Sequence, residues 1–215
     1  MGQGEKKEYR DLQGKPVIIH SLISFLSTSY FTELVITIPA GDGPRLNELL
    51  KRLPAELLHS LQKIKLVEGG ATRQDSVRHG LEAIECNPRI VLIHDAARPW
   101  VSTRLIQDIV QSADTYGACI PVVPSTDAMK QIDTDGLIHS HLDRFQTVCA
   151  QTPQGFGYPD ILTAHKKAAG DGNFYIDDSE IYSRYIGEVH TVEGHRDNIK
   201  ITFPSDFYYK NEEHT

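Results

Sequence analysis

Three cysteines, two methionines and one tryptophan are all that this chain of 215 residues contains of those types. Cys86, Cys119 and Cys149 are odd in number and match no zinc or disulfide spacing, which argues against a stapled or metal-clipped scaffold and leaves free thiols. No stretch approaches the roughly 20 apolar residues that span a bilayer. Met1-Gly2-Gln3-Gly4-Glu5-Lys6-Lys7 lacks the apolar core of a signal peptide and has Lys6 where a myristoylation motif requires Ser or Thr, so a cytoplasmic location is expected. Positive charge is short as well: the formal net charge is -7, which argues against a general nucleic-acid binder. A small anionic ligand stays open, because a few cations in a cleft outweigh the global field. Glycine (16) and proline (11) are too few for a fibrous or disordered chain. What remains, 40% hydrophobic and 24% charged, describes one globular domain over residues 1–215.

Residues 16–25 predict a short amphipathic helix, and Leu34-Val35-Ile36-Thr37-Ile38 a buried strand stopped by Pro39. Further buried strands are expected at residues 64–67, 89–93 and 118–123. One helix should begin after Gly69-Gly70, with Val77, Leu81 and Ile84 on one face and Asp75 or Ser76 as its cap; another should cover residues 103–114. Apolar strands alternating with helices imply an α/β fold, a doubly wound and mostly parallel sheet covered on both faces, with ligands at the carboxyl ends of strands. Asp133-Thr134-Asp135-Gly136 breaks that rhythm. Its turn chemistry between residues 128–132 and 137–142 predicts a β-hairpin arm projecting from the sheet, within about residues 127–150. Helices at about 158–169 and 179–186, strands at 189–192 and 199–202, and a closing helix after Pro204 complete the expectation.

Four segments carry chemistry: Gly69-Gly70-Ala71-Thr72-Arg73-Gln74-Asp75-Ser76-Val77, His94-Asp95-Ala96-Ala97-Arg98-Pro99, Gln151-Thr152-Pro153-Gln154, and Asp197-Asn198-Ile199-Lys200-Ile201-Thr202. A Gly-Gly turn between a strand and a helix lets backbone groups approach a base or phosphate. The second segment follows a buried strand directly, so its polar side chains arrive at the ligand-binding rim. In this order and at these separations the four segments resemble the 2-C-methyl-D-erythritol 4-phosphate cytidylyltransferase family, over residues 6–207. Ribitol-5-phosphate cytidylyltransferases share much of the pattern and are the alternative.

The resemblance implies a Rossmann-like nucleotidyltransferase that couples CTP to a phosphorylated polyol and releases pyrophosphate. It places Gly70, Arg73, Ser76 and Asp95 around CTP, and Asp95, Arg98, Arg144 and Thr152 around the acceptor, with Arg144 supplied across a homodimer by the arm. Lys7, in Lys6-Lys7-Glu8-Tyr9, and Lys200 are the expected catalytic cations, and Mg2+ the expected metal, held by Asp95 chiefly through the CTP phosphates. Two departures from the family pattern stand out. Ala128 occupies a position where the family usually carries Thr, which implies weaker acceptor binding. The family also opens with a buried strand and an Ala-Ala-Gly-x-Gly-x-Arg-Met-Gly loop, of which Met1-Gly2 matches only the end. That implies roughly 20 residues ahead of Met1 in a complete member. Without them, unpaired ladder groups and an apolar slot are expected, with poor CTP binding and a turnover-deficient relative as a further alternative.

Overall fold

The computed structural model describes residues 6–209, so Met1-Gly2 lies outside the described residues. A small ribbon of β1 (Asp11–Leu12) and β2 (Lys15–Pro16) leads into α1 (Val17–Leu26), and β3 (Leu34–Ile38) follows. The stretch up to β4 (Ile64–Glu68) holds α2 (Gly43–Leu50) and a 3-10 segment (Ala55–Lys63), neither of which was expected. Next come α3 (Arg73–Glu82), β5 (Ile90–Ile93), α4 (Thr103–Tyr116) and β6 (Ala118–Pro124), each close to its expected place. Beyond lie β7 (Lys130–Ile132), β8 (Ile138–His141), β9 (Val148–Ala150), β10 (Gln154–Gly157), α5 (Tyr158–Ala168), α6 (Asp178–Tyr185), β11 (His190–Glu193) and a 3-10 turn (Pro204–Tyr208). Residues 199–202 form no strand, a correction to the expectation: Ile201 instead donates a single backbone hydrogen bond to the Ala97 carbonyl at 2.8 Å.

The main sheet runs β11-β6-β10-β5, with β11 parallel to β6 and β10 antiparallel to both of its neighbours. Side chains alternate across it with the period of two that strands impose. Ile93, Phe156, Ala118 and Ile120 pack with Leu81 of α3, Ile161 of α5 and Tyr182 of α6; Leu92 and Cys119 pack on the other side with Phe25 of α1 and Ile109 of α4. Both faces are covered, as a doubly wound fold requires. Gly155 is a close approach on the α4 side, where an added Cβ would lie 2.7 Å from Ile109 and 2.9 Å from Leu92. β9 and β10 share one edge of β6, β9 on Val122–Pro124 and β10 on Ala118 and Cys119. The interruption between them falls on residues 151–153, and that break delivers Thr152 to the end of β5.

The single sheet expected from the sequence is divided. β3 and β4 pair only with each other among the described residues, in parallel. An apolar cavity of about 260 Å³ separates β3 from β5, lined by Leu34, Ile36, Ile90, Leu92, Phe25 and Leu81 among others. The arm forms as expected: β7 and β8 pair antiparallel, Asp133 Oδ1 accepts from the Asp135 and Leu137 amides, and Gly136 takes φ +81°. Among the described residues, no helix is long and apolar enough to cross a membrane.

Candidate active site

The turn after β4 is built so that only glycine fits. A Cβ on Gly70 would sit 2.2 Å from the Asp75 Cβ, and one on Gly69 would sit 2.7 Å from Ser76 Oγ. Thr72, rather than Asp75 or Ser76, caps α3: its Oγ1 accepts from the Asp75 amide at 3.0 Å and donates to Asp75 Oδ2 at 2.8 Å. Ser76 Oγ accepts from the Gly70 amide at 3.1 Å and donates to the Thr72 carbonyl at 2.9 Å, so it braces the turn from within.

Arg73 opens α3 and reaches two carboxylates, Asp178 Oδ2 at 2.8 Å through Nη2 and Asp95 Oδ1 at 3.3 Å through Nε. Asp178 is fully buried, and its second oxygen lies 3.1 Å from Nε2 of the equally buried His165. Burial alone would raise the Asp178 carboxyl, but the His165 hydrogen bond and the Arg73 charge hold it below the usual range. Opposite Arg73, Lys200 Nζ lies 2.7 Å from Asp95 Oδ2. Burial opposes the charge on Asp95 too, yet Arg73 and Lys200 together lower it to about 2. Lys7 Nζ donates to the Ile201 carbonyl at 2.8 Å, which brings it to the segment that carries Lys200.

Arg98 donates through Nη1 to the Asn198 carbonyl at 2.7 Å, while its Nε is buried without a hydrogen-bond partner. Burial lowers its pKa, against the attraction of Asp95. His94 Nε2 lies 3.3 Å from the Arg98 carbonyl and Nδ1 lies 3.0 Å from Thr152 Oγ1, which also accepts from the Asp95 amide at 3.1 Å. Burial pushes the His94 imidazole down to about 4. Gln151 Nε2 donates to the His195 carbonyl at 2.8 Å, and Asn198 Nδ2 donates to the Thr152 carbonyl at 2.9 Å, so the Lys200 loop is pinned to the break between β9 and β10.

Gly70, Arg73, Ser76, Asp95, Arg98, Thr152, Lys200 and Lys7 therefore gather at one rim, at the carboxyl ends of β4 and β5. Arg144 does not join them: it is exposed on the arm between β8 and β9 and forms no ion pair within the described residues. No group of three or more His, Cys, Asp or Glu side chains among the described residues could hold a metal by itself. His94, Gln151 and Asn198 lie inside the motifs but were not singled out. Asp178 and His165 lie outside them, and neither leaves a local pattern in the sequence that would have marked it.

Fold and rim together define an α/β nucleotidyltransferase. The family model for 2-C-methyl-D-erythritol 4-phosphate cytidylyltransferase matches residues 1–211, and the chain belongs to that family. It is 42% identical over 209 residues to a bifunctional enzyme IspD/IspF of Rhodopseudomonas palustris, covering 96% of this chain and 50% of that protein. It is 34% identical over 206 residues to the 2-C-methyl-D-erythritol 4-phosphate cytidylyltransferase of Bacillus mycoides, covering 96% of this chain and 88% of that protein. The chain thus spans about half the length of its bifunctional relatives and most of the length of the single-function one. The crystal structure of the Thermus thermophilus cytidylyltransferase superposes with a TM-score of 0.78 at 30% identity, covering 96% of this chain and 92% of that one.

Proposed function

We propose that the chain transfers the cytidylyl group of CTP to 2-C-methyl-D-erythritol 4-phosphate. An acceptor phosphate oxygen attacks the α-phosphorus, the α–β anhydride bond breaks, and pyrophosphate leaves. No side chain needs to remove a proton, because a phosphomonoester with its second pKa near 6 is largely dianionic at neutral pH. The obstacle is repulsion between two polyanions, which positioned cations offset. The observation that carries this reading is Asp95, held between Arg73 and Lys200 at the strand-end rim.

Gly70, Arg73 and Ser76 would line the cytidine side, Asp95, Arg98 and Thr152 the acceptor side, and Lys7 and Lys200 the reacting phosphates. The Asp95 carboxylate is a hard oxygen donor of the kind Mg2+ takes, with phosphate oxygens and waters completing the shell. Bound there, the metal would draw charge from the phosphoryl oxygens. A homodimer would bring the partner subunit's Arg144 to the acceptor phosphate; Ile132, Leu137, Ile138 and Phe145 on and beside the arm are exposed in the single chain, as an interface would leave them. Three free cysteines, two of them exposed, suit a reducing cytoplasm.

The test is pyrophosphate release from CTP and magnesium with each of two acceptors, methylerythritol phosphate and ribitol-5-phosphate. Turnover with the first alone is expected. The family match disfavours ribitol phosphate, and faster turnover with it would overturn the choice of acceptor. CTP binding by calorimetry without turnover of either acceptor would leave a binding protein in place of an enzyme.

A further inference from the structure

The relay through His94 and Thr152 has directions that elementary hydrogen-bond chemistry fixes. The Arg98 carbonyl carries no proton, so the contact at 3.3 Å requires the hydrogen on His94 Nε2. The two polar contacts of the ring are a carbonyl and a hydroxyl, with no carboxylate bonded to either nitrogen to balance a second ring proton. A neutral ring has one N–H, so Nδ1 presents a lone pair, and at 3.0 Å Thr152 Oγ1 must donate to it. The Asp95 amide donates to the same oxygen at 3.1 Å. The only hydroxyl hydrogen of Thr152 is therefore engaged, as is one of its two lone pairs. One lone pair is left to meet a ligand.

We propose that His94 is a positioning residue that fixes the direction of the Thr152 hydroxyl, so that Thr152 accepts from a polyol hydroxyl and discriminates against a phosphate oxygen. The inference rests on the proposed cytidylyl transfer for the identity of the ligand. A dianionic phosphate offers acceptors only, and two facing lone pairs repel. Phosphate recognition then falls to N–H donors, of which the unpartnered Nε of Arg98 lies on the same loop. A ring that donated from Nδ1 would free the threonine hydrogen and reverse the preference.

Two measurements test it. Nitrogen-15 spectra of the whole chain, assigned by comparison with His94→Asn, should show His94 as the Nε2–H tautomer at pH 7.5; the Nδ1–H tautomer overturns the proposal whether or not the chain turns over substrate. In kinetics, His94→Phe should raise the acceptor KM by about 3- to 10-fold, the size of one neutral hydrogen bond, with kcat and the CTP KM within about twofold. His94→Asn, which keeps an acceptor atom near the position of Nδ1, should recover most of that loss. Should His94→Phe fail to fold, a substrate cycle replaces it. Among acceptor analogues each lacking one hydroxyl, one should lose affinity for the natural chain and lose nothing further with Thr152→Val. An unchanged acceptor KM in His94→Phe, equal losses for CTP and acceptor, or additive losses in the cycle would each overturn the proposal. Absence of turnover by the natural chain, with the Nε2–H tautomer present, would count against the proposed activity and leave the relay standing.

Discussion

Gly70 tolerates no side chain, because the atom that would collide with its Cβ belongs to Asp75, a residue fixed by the Thr72 cap. Overpacking of that kind costs about 1–3 kcal/mol. Gly70→Ala should lower Tm by about 2–4 °C for each kcal/mol lost and raise the CTP KM; an unchanged CTP KM would show that the turn does not touch the nucleotide. Asp95 and His94 predict an acid response. Asp95 at about 2 and His94 at about 4 both bind protons less readily in the folded chain than in the unfolded one. Stability therefore rises with pH across both windows. His94 contributes fully above its unfolded value near 6.5 and loses that contribution down to about 4, while Asp95 loses its own between about 4 and 2. Thermal melts at constant ionic strength should fall in those two stages, with the upper stage flattened in His94→Asn. A Tm that stays level from pH 7 to 4 would refute the His94 part. Asp178→Asn removes the buried member of an ion pair whose other member, Arg73, is partly exposed, and should lower Tm by less than the loss of about 3–5 kcal/mol that breaking a fully buried pair brings. In the sequence Asp178 is one acidic residue among 29 aspartates and glutamates. Only the fold, by bringing the first residue of α6 within reach of Arg73, shows what it holds.

Elements were legible wherever local chemistry agreed with the tertiary result. Leu34-Val35-Ile36-Thr37-Ile38 is β-branched and apolar, and it forms β3 residue for residue. Gln154-Gly155-Phe156-Gly157 has neither property, and β10 exists because β5 and β6 pair with it on either side and α4 presses on Gly155. Residues 199–202 show the reverse: Ile199 and Ile201 favour a strand, but the segment is held by Asn198, Gln151 and Ala97 in a path that aims Lys200 at Asp95. The arm was readable from its turn, because Asp133 and Gly136 carry the turn chemistry locally. If arms exchange between protomers, Arg144→Ala mixed with Lys200→Ala, each inactive alone, should recover roughly a quarter of natural activity, because half of the random dimers would contain one intact site of two. No recovery under conditions where subunits exchange, or a monomer by sedimentation at micromolar concentration, would remove Arg144 from the site.

At the scale of the molecule, the doubly wound plan was visible in the alternation of strands and helices, and the division of the sheet was not, because periodicity reports which residues are buried and says nothing of which edges meet. The division has a mechanical consequence. β3 and β4 share ladder bonds only with each other among the described residues, and the remainder of the chain grips them through side chains of α1, α2 and α3. β6, by contrast, is flanked by β11, β9 and β10. The apolar gap is therefore a line of weakness along which the β3–β4 half can open as one cooperative unit before the whole chain unfolds. Native-state hydrogen exchange should find the amides of β3 and β4 exchanging together, with a lower opening free energy than those of β6 and β10. Equal protection of the two groups would mean that the helices alone join the halves as firmly as a ladder does.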